Sequence, residues 1–183
     1  MYAAGLGVTK DDKEAVQWFV KAAEAGNARG QTMLGLTYRD GKGVTQDDRE
    51  AVGWFTKAAE AGDVLAQACL GEMYEKGKGA TKNNLQAVYW YAKAADRGNT
   101  AAQTNLGRMY LRGNGVVRDD REALRWLTKS AEAGEPNGQY ILGAMYEDGR
   151  GVTRDAKEAM KWYKKAADAG HKAARSKIQQ LNE

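Results

Sequence analysis

The feature that most constrains this chain is a period. Tryptophan stands at Trp18, Trp54, Trp90, Trp126 and Trp162, and each interval is 36 residues. The same interval relates Gly26, Gly62, Gly98, Gly134 and Gly170, then Gly7, Gly43, Gly79, Gly115 and Gly151, then Tyr2, Tyr38, Tyr74, Tyr110 and Tyr146. No insertion breaks the register. A fixed period of this length marks one supersecondary unit stacked repeatedly, each copy burying the face its neighbour cannot bury alone.

Each unit reads as two helices. In the unit from Asn27 to Gly62, Asn27 is suited to an N-cap, and Leu34 and Tyr38 share one face with Gln31 and Gly35. Gly41-Lys42-Gly43 ends this first helix, because glycine accepts the left-handed conformation a helix end needs. Asp47 then caps a second helix and Glu50, three residues on, predicts a capping box. The pair recurs as Asp11 with Glu14, Asn83 with Gln86, Asp119 with Glu122 and Asp155 with Glu158. Ala51, Trp54, Phe55, Ala58 and Ala59 make the apolar face of the second helix, which Gly62 closes. Gly35, Gly71, Gly107 and Gly143 fall inside helices, where glycine costs about 1 kcal/mol against alanine. Their recurrence predicts close approach of a neighbouring backbone or of the large tryptophan.

Leu34-Gly35-x-x-Tyr38, Gly41-x-Gly43-Val44, Asp47, Glu50-Ala51, Trp54-Phe55, Lys57-Ala58-Ala59 and Gly62 resemble the Sel1-like repeat, a relative of the tetratricopeptide repeat. The resemblance covers nearly the whole chain. It implies an all-α fold, a right-handed superhelical solenoid of antiparallel helix pairs, and a role as adaptor or scaffold, most often bacterial, with a partner on the concave face. The disulfide-bridged branch of the family carries a cysteine pair in each repeat. Here Cys69 stands alone, which disfavours that branch.

The expected organisation is a single repeat domain over 1–183, with a partial first unit at 1–26, repeats at 27–62, 63–98, 99–134 and 135–170, and a capping helix at 171–183. Met1-Tyr2 aligns with Met73-Tyr74, so the chain is expected to open at the end of a first helix and to be a piece of a longer array. In the last helix Gln179 replaces the glycine and Asn182 the tyrosine, while Ile178 keeps the leucine slot, as suits a polar cap. The face of Ala15, Trp18, Phe19, Ala22 and Ala23 would lack part of its cover, so the expectation is either such a longer array or, as the alternative, a homodimer through the edge around Trp18 and Phe19.

Composition bears on what the array does. Charged residues are 28 % of the chain and alternate in sign, and the net charge is only +4, which argues against nucleic acid as a partner. No run approaches the roughly 18 apolar residues of a membrane span, and Met1 to Lys10 has no apolar signal segment. Catalytic sets fail on inventory, so no enzyme, metal or cofactor is expected. The single histidine, His171, aligns with Asn27, Asp63 and Asn99 and reads as a helix-start residue. Cys69 has no histidine beside it to activate a thiolate. Gly41-Lys42-Gly43-Val44-Thr45 follows a helix rather than a strand and recurs, so it is a turn, not a phosphate loop. The pairs Asp11-Asp12, Asp47-Asp48 and Asp119-Asp120 sit where a helix N-terminus stabilises negative charge.

Binding belongs where repeats differ from one another, and the first helix varies most. The tetratricopeptide resemblance puts the concave slots five and two residues before the leucine and two and five after it. These are Arg29, Thr32, Leu36 and Arg39; Leu65, Ala68, Glu72 and Glu75; Ala101, Thr104, Arg108 and Leu111; Asn137, Tyr140, Ala144 and Glu147. Leu36, Leu65, Leu111 and Tyr140 are either anchors for a protein or peptide ligand or contacts between neighbouring first helices. The alternative surface is a basic loop edge of Lys42, Lys78, Asn114 and Arg150, with Lys82, Arg118 and Arg154, for an anionic glycan, lipid headgroup or nucleic acid.

Overall fold

A computed structural model describes residues 12–182. The Met1-Tyr2 helix remnant, Gly7, the Asp11 cap and Glu183 lie outside them. The described residues form helices and turns with no strand. In order these are α1 (Asp12–Glu24), α2 (Ala28–Asp40), α3 (Asp48–Glu60), α4 (Val64–Lys76), α5 (Asn84–Asp96), α6 (Thr100–Arg112), α7 (Asp120–Glu132), α8 (Pro136–Asp148), α9 (Ala156–Asp168) and α10 (Lys172–Asn182). The odd-numbered helices are the second helices of the sequence pattern, and the even-numbered ones the first. The chain divides into two compact units, unit 1 and unit 2, at Trp90/Tyr91 within α5.

Two kinds of turn alternate. First helices end on a left-handed glycine, Gly41 in α2 and Gly149 in α8, at φ 67° and 70°. The chain then returns so that the Asp47 N–H donates to the Tyr38 carbonyl at 2.9 Å, and the Asp155 N–H to that of Tyr146 at 2.9 Å. The Asp47 carboxylate accepts from the Arg49 and Glu50 amides at 2.8 and 3.1 Å. Only this half of the predicted capping box forms at Asp47, Asp119 and Asp155. The cap's own N–H is already bound by the tyrosine carbonyl across the loop. In unit 2 the box glutamate pairs instead with a cation one turn on, Glu122 with Arg125 at 2.8 Å and Glu158 with Lys161 at 3.0 Å.

Second helices end on a tighter turn. The Asp63 N–H donates to Ala58 at 2.9 Å, and its carboxylate starts α4 by accepting from Ala66 N–H at 2.9 Å. His171 follows the same scheme, as its alignment predicts. Its N–H donates to Ala166 at 2.9 Å, and its Nδ1 accepts from the Ala174 N–H at 3.1 Å.

The first helices carry a glutamine whose purpose the sequence does not announce. Gln31, Gln67, Gln103 and Gln139 are buried, and each donates its Nε2 to a carbonyl in the last turn of the preceding helix: Ala23, Ala59, Ala95 and Ala131, at 3.1 to 3.3 Å. Each of these carbonyls also accepts from the N–H of the glycine just past the helix, Gly26, Gly62, Gly98 or Gly134, at 3.0 to 3.1 Å, so the glutamine is a second donor there. Arg175 fills this slot in α10, donating to Ala167 at 3.3 Å.

The helix-interior glycines make room for a side chain, but not for tryptophan. A Cβ on Gly35 would stand 2.7 Å from the Phe55 ring; on Gly107, 2.6 Å from Leu127; on Gly143, 2.8 Å from Tyr163. These neighbours are the residue after each tryptophan, and Phe55, Leu127 and Tyr163 are essentially fully buried. Tryptophan lies at the rim of the packing face instead. Trp90, Trp126 and Trp162 are buried, Trp54 is half-buried and Trp18 is 54 % exposed. Lysines cover the outer ring faces, Lys57 over Trp54 at 4.2 Å and Lys165 over Trp162 at 4.2 Å.

Candidate partner-binding site

The expected slots do not form one uniform surface. Thr32 is wholly buried, and its hydroxyl donates to the Ala28 carbonyl at 2.9 Å. It is part of the framework, because a threonine facing a packed neighbour satisfies its hydroxyl within its own helix. Thr104 is also buried, its hydroxyl 2.7 Å from that of Ser130.

The apolar slots serve as seams. Leu36 and Leu65 pack on the cluster of Ala51, Phe55, Ala58 and Leu70. Leu111 packs with Ile141 on Ala123, Leu127 and Met145. Tyr140 packs with Ile178 on Ala166, Ala167 and Ala174, and its ring stacks on His171 at 4.6 Å. Tyr140 therefore seats α10, so of its two readings the contact between helices is the one seen.

Several charged slots are also held by the chain itself. Arg39 donates to Asp40 at 2.8 Å and points a second N–H at the Cys69 sulfur, 3.7 Å away. Cys69 is buried, and burial pushes its thiol up to about 11. Glu72 pairs with Lys76. Glu147 accepts from the Tyr163 hydroxyl at 2.6 Å and pairs with Lys177 at 2.8 Å, and these partners, against the cost of its burial, hold its carboxyl below the usual range.

Four of the slots line one cleft in unit 2. Ala101, Thr104, Arg108 and Asn137 line a cleft of about 270 Å³ together with Asn105, Glu135 and Ile141. Ala101 and Asn137 are exposed, and Asn105, Arg108 and Ile141 half-buried. The Asn137 amide donates to the Glu135 carboxylate at 3.1 Å. Asn105, Glu135 and Ile141 were not foreseen. One signal was available: Asn105 occupies the slot that holds Met33, Cys69 and Ile141 in the other repeats. In unit 1, Leu36 lines a smaller cavity of about 200 Å³ with Phe19, Met33 and Thr37. Arg29 is exposed, while Ala68, Glu75 and Ala144 are half-buried. At the other expected interface, Trp18 is exposed and Phe19 half-buried.

The loop edge is largely neutralised from within. Asp120 binds Arg118 at 2.9 Å and Arg150 at 3.0 Å, and these hydrogen bonds hold its carboxyl down to about 2. Arg150 also donates to the Leu111 carbonyl at 3.0 Å, and Arg154 to that of Glu147 at 2.9 Å. Lys42 stands 3.7 Å from Asp40. Lys78 and Lys82 are exposed and Asn114 is half-buried.

Repeated helix pairs that differ in the slots of their first helices define a repeat scaffold. The Sel1 repeat profile matches residues 1–27, 28–63, 64–99, 100–135 and 136–171, and the chain belongs to the Sel1 repeat family. Proteins of this family generally serve as interaction scaffolds, and the repeat itself is a non-catalytic fold. A Sel1 repeat protein from Oxalobacter formigenes is 37 % identical with a TM-score of 0.94, over 100 % of this chain and 72 % of its own. The protein c5321, a protective antigen of uropathogenic Escherichia coli, is 39 % identical with a TM-score of 0.90 over 98 % of this chain. This chain spans 38 % of that protein's length. The immunity protein Pa5087 of Pseudomonas aeruginosa is 25 % identical with a TM-score of 0.61, over 94 % of this chain and 66 % of its own. No curated protein matches the chain.

Proposed function

We propose that the chain is a non-catalytic adaptor that holds a protein or peptide partner on the face made by its first helices. The observation that carries this reading is the cleft between α6 and α8, where Ala101, Thr104, Arg108 and Asn137, four of the expected slots, come together with Asn105. Its donors and acceptors are amide, guanidinium and carboxylate, set beside Ala101 and Ile141. Such a mixture suits a peptide segment, whose backbone and side chains offer both kinds of group. The seam residues Leu36, Leu65, Leu111 and Tyr140 then act as the floor that fixes helix spacing. Binding along the loop edge is the weaker reading, because Arg118, Arg150 and Arg154 already meet acceptors of their own chain.

A photo-reactive amino acid placed at Ala101 or Asn137 tests the reading in cells. The expected result is a protein cross-link from both positions that disappears when Arg108→Glu is added, with no such link from Arg121 on the second helices. Cross-links from Arg121 alone would refute it. The exposed Trp18 supports a contact between copies at that edge, and sedimentation of the parent against Trp18→Ser tests it. A parent that stays monomeric at high concentration excludes the dimer.

A further inference from the structure

Four of the first helices start on an oxygen and the fifth on a nitrogen. Side-chain oxygens of Asn27, Asp63, Asn99 and Glu135 accept from the first turns of α2, α4, α6 and α8. In α10 the acceptor is Nδ1 of His171, which the Ala174 N–H reaches at 3.1 Å. These caps answer differently to a proton. A carboxamide or carboxylate oxygen keeps a lone pair for the backbone over the range where imidazole changes charge, between about pH 5 and 8. Imidazolium carries an N–H on both ring nitrogens and accepts nothing. A proton and the Ala174 N–H therefore compete for one lone pair. His171 is half-buried, so water reaches its ring.

The same ring seats α10. It stacks on Tyr140 with centroids 4.6 Å apart and the planes 22° from parallel. Tyr140 and Ile178 then pack on Ala166, Ala167 and Ala174. The charges on the surrounding elements decide what protonation does. On α10 stand Lys172 and Arg175, with no acid in the first turn. The last turn of α9 carries Lys165 and Asp168, one of each sign. On α8 the Glu135 carboxylate is engaged by the Asn137 amide at 3.1 Å. A positive ring gains from the face of Tyr140. Against that gain stand the lost bond to Ala174, the positive end of the helix and the two cations of α10. Three effects outweigh one, and the charged ring favours leaving.

The far end of α10 is tied differently. Lys177 pairs with Glu147 at 2.8 Å, and the Tyr163 hydroxyl donates to Glu147 at 2.6 Å. Against the cost of burial, these partners hold the Glu147 carboxyl below its usual range, so the pair stays closed while His171 changes charge.

We propose that α10 is an acid-opened flap, whose first turn lifts off Tyr140 when His171 takes up a proton while Lys177 stays tied to Glu147. Lifting uncovers Tyr140, one of the first-helix slots, together with the alanines at the end of α9. The opening does not depend on the function proposed above.

The test follows the Ala174 amide of the whole chain by NMR hydrogen exchange, each rate divided by that of an unstructured peptide at the same pH. The corrected rate should rise about three- to tenfold from pH about 8 to pH about 5. The Gly30 and Ala102 amides, which Asn27 and Asn99 cap at 2.8 Å, should not change. The ring-proton contact between His171 and Tyr140 should fade over the same range. His171→Asn gives α10 the cap of α2 and α6 and should remove the response. Lys177→Gln should loosen α10 at both pH values and leave the response in place. The proposal is overturned if the corrected Ala174 rate is the same at both pH values, if the ring contact persists unchanged in acid, if His171→Asn keeps the response, or if Lys177→Gln loses it.

Discussion

One substitution, glycine to alanine, is expected to have opposite signs at two places in unit 1. Gly35 in α2 and Gly53 in α3 both lie inside helices, so alanine brings each about 1 kcal/mol of helix propensity. At Gly53 the space is open and this gain is the whole effect. At Gly35 the new Cβ would lie 2.7 Å from two carbons of Phe55 and 3.2 Å from a third, on a ring with no exposed surface to retreat to. Forcing a methyl group into such packing costs about 1–3 kcal/mol. Three close ring atoms argue for the upper part of that range, leaving Gly35→Ala destabilised by about 1–2 kcal/mol. The two variants should therefore differ by about 2–3 kcal/mol. Urea denaturation followed by far-ultraviolet circular dichroism measures both against the same parent. In a Phe55→Ala background the clash is gone, and Gly35→Ala should turn neutral or stabilising, a coupling that a double-mutant cycle isolates. Equal stabilisation at both sites in the parent would show that the Phe55 ring yields freely, and would refute the close-packing account of the recurring glycines.

Three further outcomes are expected. Asp120, held at about 2 by Arg118 and Arg150, binds its proton less readily folded than unfolded, so its contribution is present above its ordinary value near 4 and disappears as pH falls through about 2. Asp120→Asn should thus cost about 0.5–1 kcal/mol at neutral pH, allowing for solvent screening, and nothing measurable at pH about 2 by urea melts at the two pH values. Cys69, pushed up to about 11, should react with iodoacetamide at pH about 8 on the order of a hundredfold more slowly in the folded chain than after unfolding, and equal rates would contradict its burial. His171→Ala removes the Nδ1 cap and the stack on Tyr140, and should cost about 1 kcal/mol with faster hydrogen exchange confined to α10, whereas His171→Asn should restore the cap alone.

What the sequence determined by itself is what local chemistry determines. The period, the two helices per unit, the glycine turns and the Asp and Asn caps all depend on residues within one turn of each other. Asp47, Gly41 and His171 act in the structure as their spacing predicts. The slots of the candidate site were legible as positions, since a repeat fixes which residues are equivalent. Their surroundings were not, because burial is set by helices distant in sequence. Ala101 and Arg29 are exposed in the slot where Leu65 packs on its neighbours, and Thr32 is buried two slots from Arg39. Only the tertiary structure decided that Phe55 rather than Trp54 fills the space at Gly35, that a tyrosine carbonyl displaces half of the capping boxes at Asp47, Asp119 and Asp155, and that a buried glutamine adds a second donor at the end of the preceding helix. Each is a choice between competing partners brought together by packing, and a pattern along the chain carries no distance between them.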